Sequence, residues 1–170
     1  MEIAEDLGDY LLKSGKVDRE EYIEKHTKAK KILKGEVDVE DNIEIDKIHH
    51  VPFSVAISVY KSDNPIFFDR ALNSITENQT ITPNEIVLVV DGSVSDSLNE
   101  VISKYENKYD IFKIIRLKKN GGLGNALKIA VENATFELIA RMDSDDVSLP
   151  TRFEEQLRYF QVNPEIDIVG

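Results

Sequence analysis

From residue 53 onward, apolar residues come in short unbroken runs, separated by stretches in which they recur every three or four positions. The runs Phe53–Tyr60, Glu85–Val90, Phe112–Leu117 and Phe136–Met142 read as buried strands, and Ile166–Val169 reads as the start of another. Between them, Ile66–Glu77, Ser95–Tyr105, Gly122–Asn133 and Pro150–Phe160 read as helices. In the first of these Phe68, Ala71, Leu72 and Ile75 recur at helical spacing. Continuous apolar strands alternating with helices predict an α/β fold: a mainly parallel sheet, Rossmann-like, with helices on both faces. Right-handed crossovers then gather the loops that follow the strands along one edge.

Residues 1–50 have a different texture, dense in charge of both signs and free of proline. A short helical pattern spans Ile3 to Leu12. A second opens at Asp18 with Glu21 three positions on, close to a capping box, and closes at Gly35 after Lys30, Lys31 and Lys34. Tyr22, His26, Ala29 and Leu33 form a stripe suited to packing against a main domain or a partner. Glu36 to His50 reads as an acidic linker. The expected organisation is therefore a charged helical extension and linker over 1–50, then a main domain over 51–170.

Composition narrows the chemistry. The 170 residues are 41% hydrophobic, enough to bury one core. There is no cysteine, so thiolate metal sites and disulfides are excluded and a metal must be held by oxygen or histidine. A net charge of −11 argues against a phosphate-tracking nucleic-acid binder. No apolar run approaches the length that spans a bilayer, and Met1-Glu-Ile-Ala-Glu-Asp lacks the basic start of a signal peptide. The expected location is the cytoplasm, with any membrane contact peripheral and at the inner face.

Function is then expected in the loops after the strands: Tyr60-Lys-Ser-Asp-Asn-Pro65, Asp91-Gly-Ser-Val-Ser-Asp96, Lys118-Lys-Asn-Gly-Gly-Leu-Gly124 and Asp143-Ser-Asp-Asp146. Asp143, Asp145 and Asp146 crowd three carboxylates into four positions, which a hard cation such as Mg2+ or Mn2+ would relieve, with substrate phosphates and water completing its shell. The competing reading is a solvated turn, with Asp146 or Ser148 as the N-cap of the helix near Pro150. Asp91 admits two readings as well: an acceptor for a nucleobase or ribose, or an Asx-turn residue opening the helix at Ser95. Gly122-x-Gly124 lacks the third glycine of a dinucleotide fingerprint and follows the third strand, so a Rossmann dehydrogenase is rejected. Those glycines suit a helix starting tight against the sheet, its free amides facing a phosphate.

Taken in order, Phe53-Ser-Val-Ala-Ile-Ser-Val-Tyr60, Val89-Val-Asp-Gly-Ser93, Asn120-Gly-Gly-Leu-Gly-Asn-Ala126 and Arg141-Met-Asp-Ser-Asp-Asp146, with Pro150, Arg152 and Gln156 following, resemble the nucleotide-binding half of a family 2 glycosyltransferase. The resemblance runs from about Pro52 to Gly170. It implies a GT-A fold, a UDP-sugar as the expected donor, a divalent cation (Mg2+ or Mn2+), and inverting transfer to a saccharide or lipid-linked acceptor in polysaccharide biosynthesis. By that resemblance Asp91 contacts the base, Tyr60 lies beside it, Asp143 faces ribose or sugar, and Asp145 with Asp143 holds the metal. Gly122 and Arg141 join the nucleotide-sugar site, Arg141 offsetting diphosphate charge, a part that Lys118 and Lys119 would otherwise share. Two departures stand out: Lys61 replaces the usual asparagine, and Val90 replaces the first acid of Asp-Asp-Gly-Ser. The catalytic base is expected beyond Gly170, which leaves open a nucleotide-binding or scaffold module without turnover. A nucleotidyltransferase would carry a Gly-rich loop with Arg and Lys after the first strand, where Tyr60-Lys-Ser-Asp stands instead.

Overall fold

The structure is a computed structural model and describes residues 51–170. The extension, its two helices and the linker expected within 1–50 lie outside the described residues. Eight elements follow one another: β1 (Phe53–Tyr60), α1 (Pro65–Thr76), β2 (Glu85–Asp91), α2 (Asp96–Lys108), β3 (Phe112–Arg116), α3 (Leu123–Asn133), β4 (Leu138–Met142) and α4 (Arg152–Val162). The strands form one parallel sheet in the order β3-β2-β1-β4. This is the α/β arrangement expected, and it is GT-A-like.

That order explains the two helical layers. The crossovers β1 to β2 and β2 to β3 step in one direction across the sheet, and β3 to β4 steps back past both. With right-handed connections, α3 must therefore lie on the face opposite α1 and α2. The packing agrees: Ala126 and Ala130 of α3 are buried against Ala56, Val87 and Val89, the alternate positions of β1 and β2. Two alanines let the helix sit close to the sheet. On α1 and α2, Phe68, Leu72, Ile75, Leu98 and Ile102 are fully buried, and the Tyr105 hydroxyl donates to the Asp69 carbonyl at 3.0 Å, joining the two helices. Phe153 of α4 packs on Phe53 with ring centroids 4.9 Å apart.

Central and edge strands differ as burial requires. β1 and β2 are almost wholly buried, whereas β3 and β4 alternate between covered and exposed positions. Asn64 caps α1 by accepting from the Ile66 amide, with Pro65 pre-set for the first turn, and Ser95 caps α2 through the Leu98 amide. At the amino edge of the sheet, Glu85 accepts from the Ser54 hydroxyl at 2.7 Å and from the amide and hydroxyl of Thr135, each at 2.8 Å. Burial opposes its charge, yet these bonds, with Lys113 nearby, hold its carboxyl below the usual glutamate range.

One expected element is not formed. Ile166–Val169 carries no strand, and Ile168 is 87% exposed. Four residues of alternating polarity have no ladder partner in the described residues, and a strand without one lacks both its hydrogen bonds and a face to bury. The same segment lines a groove of about 1020 Å³ beside β4 and α4, together with Leu138, Ala140, Phe153 and Leu157. Among the described residues no helix is long and apolar enough to cross a membrane.

Candidate nucleotide and metal site

β1, β2, β3 and β4 end at Tyr60, Asp91, Arg116 and Met142, so the four polar loops do emerge along one edge. β1 and β4 are neighbours in the sheet although they are the first and last strands in the chain, so the loops that follow them lie side by side at this edge.

Asp91 is the last residue of β2 and is only 3% exposed. A buried carboxylate needs donors, and the loop after β3 supplies them. The Gly121 amide donates to Oδ1 at 2.7 Å and the Gly122 amide to Oδ2 at 2.9 Å, while the Asn120 side chain donates to the Asp91 carbonyl at 3.3 Å. Gly92 permits this approach. Its φ is +87°, and a Cβ there would stand 2.8 Å from the Asn120 nitrogen. Gly122, with φ +86°, turns the chain into α3. Two expectations change accordingly. Asp91 is not an Asx-turn residue, since its carboxylate bonds across to another loop and Ser95 caps α2. The amides of Gly121 and Gly122 face Asp91, so only those of Leu123, Gly124 and Asn125 remain as the unpaired donors of the first turn of α3.

The acidic loop is built differently. Arg141 donates through Nη2 to both oxygens of Asp143, at 2.7 and 2.8 Å, so part of its charge is offset by that carboxylate. Beneath the loop, Arg152 donates to the Arg141 carbonyl at 2.7 Å, to the Ser148 hydroxyl at 2.9 Å and to the Met142 sulfur at 3.4 Å. Burial lowers the Arg152 pKa, and the charges of Asp146 and Asp143 act against that shift. The guanidinium thus supports the loop from inside. Ser148 is buried, with its amide donating to the Ser74 hydroxyl at 3.0 Å, and α4 begins only after Thr151, which makes no side-chain cap. Neither Asp146 nor Ser148 is the N-cap expected for this helix, because Ser148 is engaged with the core and with Arg152.

Asp145 and Asp146 are exposed and accept no hydrogen bond among the described residues. The three acids do not converge: among the described residues no group of three His, Asp or Glu is placed to hold an ion. Asp143 and Asp145 still fit a hard cation by their chemistry. They offer carboxylate oxygens on an open loop, which suits an ion that keeps waters and takes phosphate oxygens from its substrate.

One residue escaped the sequence reading. Asp63, in the loop after β1, accepts the Tyr60 amide at 3.0 Å and the Ser144 hydroxyl at 2.8 Å, both on Oδ2. The segment Lys61-Ser-Asp63-Asn signals a turn, but nothing local shows that its partner lies in the acidic loop. Tyr60 itself is 43% exposed beside this turn. Lys118 and Lys119 are exposed.

A parallel sheet with four polar loops at its carboxyl edge, one of them acidic, defines an α/β domain with a polar site at that edge. The comparisons with known proteins make that more specific. The family model for "Glycosyl transferase family 2" matches residues 54–170, and the chain belongs to that family. It is 43% identical over 118 residues to the amylovoran biosynthesis glycosyltransferase AmsE of Erwinia amylovora, covering 69% of this chain and 44% of that protein. It is 38% identical over 118 residues to the UDP-Gal:alpha-D-GlcNAc-diphosphoundecaprenol beta-1,3-galactosyltransferase of Escherichia coli, covering 69% and 42%. Its fold is similar to S. aureus TarS 1–349 in complex with UDP-GlcNAc, with a TM-score of 0.58 and 27% identity over 67% of this chain and 32% of that one. The chain therefore spans less than half the length of these relatives.

Proposed function

We propose that residues 51–170 form the donor-binding part of an inverting glycosyltransferase that takes a sugar from a UDP-sugar, with a divalent cation, and passes it to a saccharide or lipid-linked acceptor. The observation that carries this reading is the open acidic loop set directly beside Tyr60 and Asp63 at the carboxyl edge of the sheet. Two relatives are named for UDP-Gal transfer and for amylovoran biosynthesis, and the TarS structure holds UDP-GlcNAc, which supports a UDP-sugar donor and a place in polysaccharide assembly.

In this reading each loop has one task. Asp91 keeps its two carboxylate oxygens on the loop amides, and their remaining lone pairs are the acceptors offered to a base N–H. Tyr60 presents an exposed ring beside that position. Asp143 faces the ribose or sugar and Asp145 binds the cation. A bound cation would stabilise negative charge on the departing diphosphate. Arg141, now on Asp143, is placed to share its donors with that diphosphate. The first-turn amides of α3 add a partial positive charge at the same edge. No residue within 51–170 is assigned as the base that activates the acceptor.

Titration of UDP into the protein with Mn2+, and again with chelator, tests the reading. Binding with Mn2+ that disappears with chelator is expected, and binding that ignores the metal would contradict it. The alternative is a nucleotide-binding module without turnover, for residues 51–170 offer a donor-side site and no assigned base. Sugar release from UDP-GlcNAc or UDP-Gal well above background would exclude that alternative.

A further inference from the structure

Two loops of the site are joined by a bond that neither needs for its own fold. Asp63 closes the turn after β1 by exchanging bonds with Tyr60: its amide donates to the Tyr60 carbonyl at 3.1 Å, and its Oδ2 accepts the Tyr60 amide at 3.0 Å. The turn is complete with those two bonds. The same Oδ2 nevertheless takes a second donor, the Ser144 hydroxyl, at 2.8 Å across 81 residues of sequence. Ser144 stands between Asp143 and Asp145, and both it and Asp63 are half-buried. On its other side the acidic loop is tied through Arg141 to Asp143, through Arg152 to the chain at Arg141, Met142 and Ser148, and through the Ser148 amide to the Ser74 hydroxyl. Asp145 itself has no bond among the described residues. The Ser144 hydroxyl is thus the nearest anchor to the residue proposed to bind the cation.

We propose that Asp63 and Ser144 are positioning residues, forming a clamp that holds the acidic loop in register with the loop beside the base, so that the cation and nucleotide sites share one geometry. The proposal rests on the donor-site reading above. The clamp works through an acceptor oxygen and not through the charge of Asp63, because one oxygen receives both bonds. An asparagine can place its carbonyl oxygen where Oδ2 stands and keep both donors, whereas alanine keeps neither. A carboxylate that served as a metal ligand or as a source of field would not tolerate that exchange.

The test combines two readouts on the full chain. Amide hydrogen exchange of residues 143–147 is measured without ligand, and UDP binding is titrated in Mn2+. Ser144→Ala and Asp63→Ala are expected to speed exchange of the loop and to weaken UDP binding by about tenfold, the upper scale of one hydrogen bond. Asp63→Asn is expected to stay within about twofold of the unsubstituted chain in both. The double variant Asp63→Ala/Ser144→Ala is expected to be no worse than Asp63→Ala alone, since Asp63→Ala already removes the bond that Ser144→Ala removes. Unchanged exchange in Ser144→Ala, failure of Asp63→Asn to rescue, or losses that multiply would each overturn the clamp. A chain that melts normally but binds no UDP would overturn the nucleotide reading alone, and the exchange comparison would still decide the clamp.

Discussion

Asp91 and Asp145 are aspartates at the carboxyl ends of β2 and β4, on one sheet edge with β1 between them, and they are held in opposite ways. Asp91 is buried and accepts two backbone amides, with a glycine on either side of the contact shaped to allow it. Asp145 is exposed and accepts nothing among the described residues. The first carboxylate is part of the fold, because removing it takes away the acceptor that ties the loop of Gly121 and Gly122 to β2. The second contributes little to folding and is open to an external cation. A site whose scaffold and whose reactive group are separate in this way can be probed one half at a time.

The largest effect on stability is expected from Asp91→Ala. Losing a buried carboxylate that bridges two loops should cost about 3 kcal/mol, measured by urea unfolding. A loss below about 0.5 kcal/mol would show that the bridge is not structural. Gly92→Ala attacks the same contact from the backbone side. The left-handed φ and the approach to the Asn120 nitrogen should together cost about 2 kcal/mol, with UDP binding weakened because the loop of Asn120 shifts.

Glu85 extends the comparison to the opposite edge of the sheet. Its folded pKa is lowered, so its contribution to stability is present above the ordinary value of 4.5 and is lost as pH falls through the folded value. Glu85→Gln should therefore reduce stability near neutral pH by about 1 kcal/mol and flatten the decline on acidification, read from urea midpoints across that range. An unchanged acid profile would place the pH dependence elsewhere. The smallest effect is expected at the Lys104–Asp69 pair, 2.6 Å apart with both side chains substantially exposed. Lys104→Ala should change stability by less than about 0.5 kcal/mol.

The same contrast explains what the sequence could disclose. β1 is legible to its end residues because every position from Phe53 to Val59 is apolar or small, and the helices α1 and α3 are legible because their buried faces recur at a helical period. The positions of Asp91, Asp143 and Asp145 follow from where those runs stop. Their partners do not. The bonds from Asp91 to Gly121 and Gly122 span 30 and 31 residues and that from Ser144 to Asp63 spans 81, so no local pattern contains them. Pro150 suggested a helix start, but Ser148 is drawn into the core by Ser74 and Arg152, which delays α4 to Arg152. At Ile166–Val169 the pattern was that of a strand, and only the missing neighbour decided otherwise.

The separation of scaffold from reactive group is tested most directly by titrating UDP, in Mn2+, into the unsubstituted chain and into Asp145→Ala, with thermal melting of both. The expected result is metal-dependent binding that Asp145→Ala abolishes while the two proteins melt together, within about 0.5 kcal/mol of stability. Equal UDP binding by the two, or a variant that loses binding only because it unfolds, would contradict the assignment of Asp145 as an open metal ligand.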